Sequence, residues 1–218
     1  MGCHIQISNL ALSFSWKSFN KAIFKNLDLC LPQGLFVTVI GSNGSGKSSL
    51  IKLILGLLAP DTGEVLLMGE PVRHGYPDSI RTGKVAYLSQ QIEELFFSET
   101  PAEELNYGDA FNPTESHIHL LQKFGLDQFL DRPIENLSGG ERQSLALLQF
   151  MLSPAQLLIL DEPSSYLDQD RAALLHDHLQ ASHGHGKTII HVTQYHSEIA
   201  WGTHLLNLDE AHSGIVAV

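Results

Sequence analysis

The hydrophobic residues of the chain follow two patterns, one typical of strands and one typical of helices. Residues 35–40 form a nearly continuous apolar run of strand length, which favours a strand buried on both faces in a parallel sheet. In residues 47–58 the apolar positions cover most sides of a predicted helix, so this helix should be internal. A Gly-rich turn joins the two segments. The pattern therefore predicts a buried strand, a turn and an internal helix in succession.

The segments around this unit differ in character. Residues 4–40 alternate short apolar runs with turns and predict antiparallel strands and hairpins, and residues 60–90 return to short strands separated by Gly and Pro. From about residue 100 to 152 the periodicity is helical. We therefore expect an N-terminal antiparallel β subdomain and a helical subdomain over approximately residues 95–152.

The C-terminal third alternates strands and a helix. Strand candidates at residues 156–160 and 188–192 flank a predicted helix at residues 169–180, and two further strand candidates follow at 205–208 and 215–218. Strand–helix–strand alternation around a Gly-rich turn is typical of a right-handed α/β core. We expect an α/β fold with a largely parallel sheet, organised as a single domain over residues 1–218.

Composition narrows the function classes. The chain has 218 residues, 43% hydrophobic and 17% charged, as in ordinary folded proteins. The net charge of −11, with no block of Lys or Arg, disfavours binding to a nucleic-acid backbone, so no nucleic-acid partner is expected. The apolar runs are far shorter than the roughly 20 residues of a membrane helix.

Cysteine content and the N-terminus bear on the compartment. Cys3 and Cys30 are too few for a disulfide framework or a metal knuckle, and they fit a reducing compartment. The first residues carry neither an export signal nor a lipidation motif. The expected compartment is therefore the cytoplasm.

The Gly-rich turn matches a phosphate-binding motif. Residues 41–48, here called the phosphate loop, fit the pattern G-x-x-x-x-G-K-[ST] between a strand and a helix, which is the context the motif requires. Glycines let backbone N–H groups face phosphate oxygens, Lys47 reaches the β- and γ-phosphates, and Ser48 can bind Mg²⁺. We expect a P-loop NTPase core in which nucleotide is bound by Gly41, Ser42, Asn43, Gly44, Ser45, Gly46, Lys47, Ser48 and Ser49.

Two carboxylates follow a second apolar strand. Asp161 and Glu162 come directly after residues 157–160, and ligands of parallel sheets bind beyond the carboxyl ends of the strands. There Asp161 would hold Mg²⁺ or its waters, and Glu162 would orient or deprotonate an attacking water. The pair predicts metal-assisted phosphoryl chemistry on a nucleoside triphosphate.

A third motif supports a family resemblance. The sequence LSGGE at residues 137–141 precedes a predicted helix, and with the phosphate loop and the two acids it resembles the ATP-binding subunit of an ABC transporter over essentially the whole chain. The resemblance implies ATP and Mg²⁺ as cofactors and a head-to-tail dimer, of like or unlike chains, in which the signature of one subunit faces the γ-phosphate of the other. The implied signature residues are Leu137, Ser138, Gly139, Gly140 and Glu141.

The same resemblance assigns further residues. Gln90 would sense Mg²⁺ and water and couple to an integral membrane permease, Ser165 and Asp168 would form the D-loop, and Trp16, or alternatively Phe14, would stack on adenine. Residues 95–105 resemble the energy-coupling-factor importer ATPases in particular, with core packing of the two phenylalanines there as the alternative. The resemblance implies a subunit peripheral on the inner face of the cell membrane, working in import.

One residue departs from the family pattern. Gln194 stands where the family has a His that contacts the γ-phosphate; an amide can donate a hydrogen bond but lacks a titratable imidazole. We expect Gln194 to contact the γ-phosphate as part of the catalytic set with Glu162 and Gln90. The alternatives are a soluble, non-transport ABC ATPase and an ATP-binding regulatory subunit with weak hydrolysis. The His pairs at residues 176–178 and 183–185 are expected to be surface residues.

Overall fold

The strands and helices are described in a computed structural model that covers residues 2–16, 19–73, 77–89, 96–105, 115–210 and 215–218. The strands are β1 Cys3–Trp16, β2 Phe19–Pro32, β3 Phe36–Ile40, β4 Thr62–Leu67, β5 Glu70–Pro71, β6 Val85–Leu88, β7 Leu157–Asp161, β8 Thr188–Val192, β9 His204–Asn207 and β10 Ile215–Ala217. The helices are α1 Lys47–Ile54, α2 Asp78–Arg81, α3 Pro101–Leu105, α4 Glu115–Lys123, α5 Gly139–Leu152 and α6 Gln169–Gly184.

Four of the strands form an antiparallel sheet in the order β2-β1-β4-β5. In β1, alternate residues such as Ile5 and Ile7 are buried, as expected for a sheet with one face on the core. The turn from β2 to β3 contains Gly34 at φ +80°, a left-handed conformation that glycine adopts without steric penalty. This sheet confirms the antiparallel β region predicted at the N-terminus.

The second sheet has the order β10-β9-β3-β8-β7-β6, and its described pairs are parallel except β9 with β10. Strands β7 and β8 are buried at every position, as expected for inner strands of a parallel sheet that is covered on both faces. In this order β8 lies between β3 and β7, so the carboxyl ends of these three strands are neighbours. The mixed α/β fold with a mostly parallel sheet confirms the predicted fold class.

The buried hydrophobic residues form two separate cores. Helix α1 buries Leu50, Ile51 and Leu53 in a core shared by the antiparallel sheet and one face of the parallel sheet. Helix α5 packs in a second core with the other face of the parallel sheet, through residues such as Leu145 and Leu148. The described helices between residues 101 and 152 contribute to this second core, so the parallel sheet separates the two.

Element boundaries differ from the predicted ones by a few residues. Helix α1 ends at Ile54, because the chain turns at Gly56, which has a φ of +72°. Helix α5 begins at Gly139, two residues earlier than Glu141. Strand β8 coincides with the predicted residues 188–192.

The structure contradicts the expectation that Cys3 and Cys30 fit a reducing compartment. Cys3 and Cys30 form a disulfide, with their Cα atoms 5.5 Å apart across β1 and β2. The register shifts between Cys3 and Ile5, and this shift brings Cys3 close to Cys30 although its paired residue is Pro32. Cysteine usage therefore gives no argument for a reducing compartment.

Over the described ranges, no helix combines the length and the apolar character that crossing a membrane requires.

Candidate active site

The phosphate loop connects β3 to α1 through a glycine with a left-handed backbone. Gly46, the residue before α1, has φ +104° and ψ 13°. A Cβ atom there would lie 2.5 Å from Ile23 Cγ2 and 2.7 Å from Phe24 Cζ, so a larger residue would both strain the backbone and clash with β2. The N-terminus of α1 is thereby held against the antiparallel sheet with its N–H groups facing the loop.

Lys47 lies inside the phosphate loop. Its side chain is largely buried, at 7% exposure, and its ammonium donates to the carbonyl of Gly41 at 2.8 Å and to that of Ser42 at 3.4 Å. A buried ammonium is stable only with nearby acceptors or an anion. The loop thus concentrates a positive charge and the positive end of α1 in one place.

Two side chains that the sequence did not indicate brace the loop from outside. Asp209, just after β9, accepts hydrogen bonds from the backbone N–H and the hydroxyl of Ser42, both at 2.8 Å. Lys21 in β2 donates to the carbonyl of Gly44 at 3.0 Å. The hydrogen bonds of Ser42 hold the pKa of Asp209 below its usual range. Both braces connect residues far apart in sequence, so no local motif could have signalled them.

The carboxylate of Asp161 meets the requirements of a magnesium ligand. Asp161 ends β7 and is 5% exposed; burial raises its pKa, while an interaction with the Ser48 hydroxyl and the nearby charge of Lys47 act in the opposite direction. Its Oδ1 atom is buried without a hydrogen-bond partner among the described residues. Carboxylate and hydroxyl oxygens are the ligands that Mg²⁺ prefers, so Ser48 and Asp161 fit this ion.

Glu162 adopts a backbone conformation that is rare for residues other than glycine. Its φ of 52° and ψ of 47° turn the chain sharply at the end of β7, before the 3-10 helix Pro163–Tyr166. Its N–H donates to the carbonyl of Val192 at 2.9 Å, which ties this turn to the end of β8. Strained conformations of this kind cluster at functional sites, in line with a catalytic carboxylate here.

Gln194 follows β8, between the ends of β3 and β7. The preceding residue, Thr193, is fully buried and donates its N–H to the carbonyl of Val39 in β3 at 3.1 Å. Gln194 itself is exposed. The phosphate loop, Gln194 and Glu162 therefore leave the same edge of the sheet from three adjacent strands.

The LSGGE segment forms the capped start of α5. The Ser138 hydroxyl accepts from the N–H of Glu141 at 3.3 Å, and the Glu141 carboxylate accepts from the N–H of Ser138 at 2.6 Å. This backbone hydrogen bond holds the pKa of Glu141 below its usual range. Leu137 is buried and anchors the segment, while Ser138, Gly139 and Gly140 are exposed. An exposed helix N-terminus with two glycines is open to a ligand from outside the chain.

Other predicted site residues are described only in part. Gln90 lies outside the described residues, as do the side chains of Trp16 and Ser165. Asp168 caps α6 by accepting from the N–H of Arg171 at 2.8 Å. Phe14, the alternative adenine contact, is 46% exposed in β1. Among the described residues, no group of three or more His, Cys, Asp or Glu is arranged to hold a metal, so the histidine pairs form no such site there.

Comparison with protein families decides the classification. Residues 24–165, which include the phosphate loop, the LSGGE segment, Asp161 and Glu162, match the family described as ABC transporter. The chain belongs to this family. It is an ATP-binding ATPase cassette, and ABC ATPase cassettes work as dimers with membrane permeases in transporters.

Individual relatives cover most of the cassette. The cassette is 37% identical over 183 residues to the cytochrome c biogenesis ATP-binding export protein CcmA of Cupriavidus necator, and the match covers 78% of each chain. It is 31% identical over 202 residues to the energy-coupling factor transporter ATP-binding protein EcfA1 of Fusobacterium nucleatum, covering 89% of the cassette and 75% of that protein. Its fold matches the dimeric, post-hydrolysis structure of the ATP-binding cassette MJ0796 with ADP and Pi, at a TM-score of 0.76 and 21% identity, over 93% of each chain.

Proposed function

We propose that the cassette hydrolyses ATP at the edge formed by β3, β8 and β7, and that this powers movement of a small solute or ion across the cytoplasmic membrane. The observation that carries the proposal is the adjacency of these three strands, which end in the phosphate loop, Gln194 and Glu162. We further propose that residues 1–218 act as a single cassette domain.

In this proposal each residue has one chemical task. Lys47 and the N–H groups at the start of α1 bind the β- and γ-phosphates. The carboxylate of Glu162 accepts a proton from the attacking water, and the amide of Gln194 donates a hydrogen bond to the γ-phosphate. Trp16 stacks on the adenine ring. Every group acts from a position set by a strand end or a helix start.

Mg²⁺ belongs to the proposed site, with Ser48, Asp161 and Gln90 as its protein ligands. When bound, it neutralises charge that develops on the phosphate oxygens during transfer. The buried Oδ1 of Asp161, which lacks a partner among the described residues, supports this assignment.

The proposal includes two protein partners, and one of them is another cassette, of the same or a related chain. Ser138 and Gly140 at the exposed start of α5 contact the γ-phosphate held by Lys47 of the other subunit, and Ser165 and Asp168 line the same interface. The capping box supports this assignment because its side-chain cap is on the N–H of Glu141, and no described side chain accepts from the N–H of Gly139 or Gly140.

The other protein partner in the proposal is an integral membrane permease. A groove of about 350 Å³ lies between Phe96 and Ser98 on one side and Pro133 and Ile134 on the other, and the neighbouring Phe97 is 79% exposed. Apolar and charged side chains line this groove together, as in the apolar core and polar rim of protein interfaces. We infer that the permease docks here and that the cassette is peripheral on the inner face of the membrane.

Import is the direction that we propose, on the likeness of residues 95–105 to energy-coupling-factor ATPases. Export remains an outcome of the test, because the relatives include a protein named for export. The test is co-purification: the tagged cassette is extracted at its native level from membranes in mild detergent with Mg-ATP, and its partners are identified by mass spectrometry.

A multi-span membrane protein in stoichiometric amount supports the transport role, and transport assays on that complex give the direction. Recovery of soluble proteins alone, while a known transporter stays intact under the same conditions, contradicts it. Gln194 favours one alternative, a regulatory subunit that binds ATP and hydrolyses it weakly. Absence of turnover in the complex with its permease would establish that alternative.

A further inference from the structure

A buried carboxylate lies behind the turn that carries Gln194. Glu198 is 7% exposed, and its Oε2 atom accepts a hydrogen bond from the Thr193 hydroxyl at 2.6 Å. The Nε2 atom of His191, which is fully buried in β8, lies 3.3 Å from the same oxygen. Trp201 stacks on this imidazole with the ring centroids 5.0 Å apart, which fixes the orientation of the ring. None of these side chains has a task in the hydrolysis described above.

The carboxylate also reaches the segment that carries Glu162. The hydroxyl of Ser164, two residues after Glu162, is buried without a hydrogen-bond partner among the described residues, and it is near enough to Glu198 to lower the pKa of that carboxylate. Burial alone raises the pKa of Glu198, but the interactions with His191, Ser164 and Thr193 outweigh it and lower the pKa. Glu198 is therefore an ionised carboxylate next to both strand ends, and its hydrogen bond from the Thr193 hydroxyl is charge-assisted, which makes it strong where water is excluded.

The Thr193 hydroxyl sets the shape of the Gln194 turn. It donates to Glu198 and accepts from the N–H of Tyr195 at 3.0 Å, so it closes a turn with Gln194 at its tip. The N–H of Thr193 is meanwhile bound to the carbonyl of Val39 in β3. Gln194 is thus held between the strand that leads to the phosphate loop and the buried carboxylate.

We propose that Glu198 and Thr193 are positioning residues for ATP hydrolysis, holding the Gln194 turn and the Glu162 segment at a fixed separation. The inference rests on the roles proposed above for Gln194 and Glu162. Neither Glu198 nor Thr193 touches the nucleotide in this scheme. Their effect is on the geometry of the hydrolytic step, where a displacement of about 1 Å can lower a rate by as much as 100-fold.

The test compares Thr193→Val, which keeps the shape but removes the hydroxyl, with Thr193→Ser, which keeps the hydroxyl. We expect Thr193→Val to lower kcat at least tenfold, with ATP affinity within about twofold of wild type, because the phosphate loop is untouched. Thr193→Ser should recover most of the kcat. Glu198→Gln, which keeps one oxygen acceptor but removes the charge, should give an intermediate kcat and is the second variant if Thr193→Val does not fold.

Thr188→Val is the matched control, because Thr188 is equally buried at the opposite end of β8. Its hydroxyl bonds the ring of His4 at 2.7 Å and the N–H of Gly34 at 2.9 Å, away from the site. This variant should lose stability and keep its kcat. The inference is overturned if Thr193→Val and Glu198→Gln both keep the wild-type kcat, or if Thr193→Ser loses as much as Thr193→Val. Undiminished turnover in Glu162→Gln would instead overturn the proposed catalytic roles themselves.

Discussion

At the scale of single residues, the proposed site depends on a neutral amide where the family has an imidazole. Gln194 is exposed at the tip of a turn closed by Thr193, and in the proposed site its amide contacts a phosphate held by the neighbouring phosphate loop. The NH₂ group of an amide donates hydrogen bonds without carrying a charge, so its contribution to transition-state binding should not depend on pH near neutrality. This property separates Gln194 from the histidine that the family usually has.

The corresponding prediction is that Gln194→Ala lowers kcat about tenfold or more, because a hydrogen bond to the developing charge on the γ-phosphate is lost. ATP turnover at saturating ATP measures the effect, and nucleotide affinity is measured separately. Gln194→His is the informative second variant, since it should introduce a pH dependence between about pH 6 and 7. Unchanged turnover and affinity in Gln194→Ala would contradict the assigned contact.

A second residue predicts how stability depends on pH. Burial, with a smaller effect from the charge of Lys187, lowers the pKa of His178 from 6.5 to about 4. Because this pKa is lower in the folded state, protonation favours unfolding, and stability should fall as the pH drops from 6.5 towards 4. We expect a loss of about 1–2 kcal/mol between pH 7 and pH 5 from this group.

Urea denaturation of the wild type and of His178→Gln at both pH values isolates this contribution. The wild type should lose more of its free energy of unfolding on acidification than the variant does. An equal loss in both proteins would show that His178 takes no part in the pH dependence.

At the scale of elements, the disulfide joins the two longest strands near the N-terminus. Cys3 and Cys30 are 27 residues apart in sequence, and they close a loop that the pairing of β1 with β2 also closes. A cross-link of this kind stabilises mainly by restricting the unfolded chain. Reduction should therefore lower the free energy of unfolding by about 2 kcal/mol, the low end of the usual range, since the hairpin itself persists.

Denaturation with and without a thiol reductant, at constant protein concentration, measures this effect. The variant Cys3→Ser/Cys30→Ser serves as the control, because it should not respond to the reductant and should resemble the reduced wild type. A wild-type protein whose unfolding is the same in both conditions would refute the prediction.

Local sequence predicted most of these elements but not the contacts between them. Strand β8 and the strand–glycine–helix unit around Lys47 were both predicted from short-range sequence patterns. The disulfide does not, because it depends on a register shift in β1 that hydrophobic alternation does not specify. The early end of α1 depends on the left-handed turn at Gly56, which competed with an apolar pattern that continues to residue 58.

At the scale of the whole molecule, the sheet order determines how the candidate site is assembled. Motifs predicted the phosphate loop, Asp161 and Glu162 as candidate site residues because each lies in a short segment after a strand. The position of β8 between β3 and β7 could not be predicted from spacing, and it is what puts Gln194 beside both. The braces from Asp209 and Lys21, and the buried Glu198, likewise arise only when distant segments pack together.

The net charge of −11 contrasts with the positive charge at the phosphate loop. The described cationic groups at the site, Lys47 and Lys21, are bound to carbonyls of the phosphate loop, so positive charge is concentrated where phosphates would bind. Such a distribution favours one localised anion site over binding along a nucleic-acid backbone, so the absence of a nucleic-acid partner stays a prediction.

The most direct measurement is the rate of ATP hydrolysis by the wild type and by Glu162→Gln, with ATP affinity measured on the same samples. The substitution preserves size and removes the proton acceptor, so turnover should fall at least 100-fold while affinity stays within about twofold. Lys47→Ala should instead lose ATP affinity. Equal turnover in the wild type and Glu162→Gln would contradict hydrolysis at the shared edge of β3, β8 and β7.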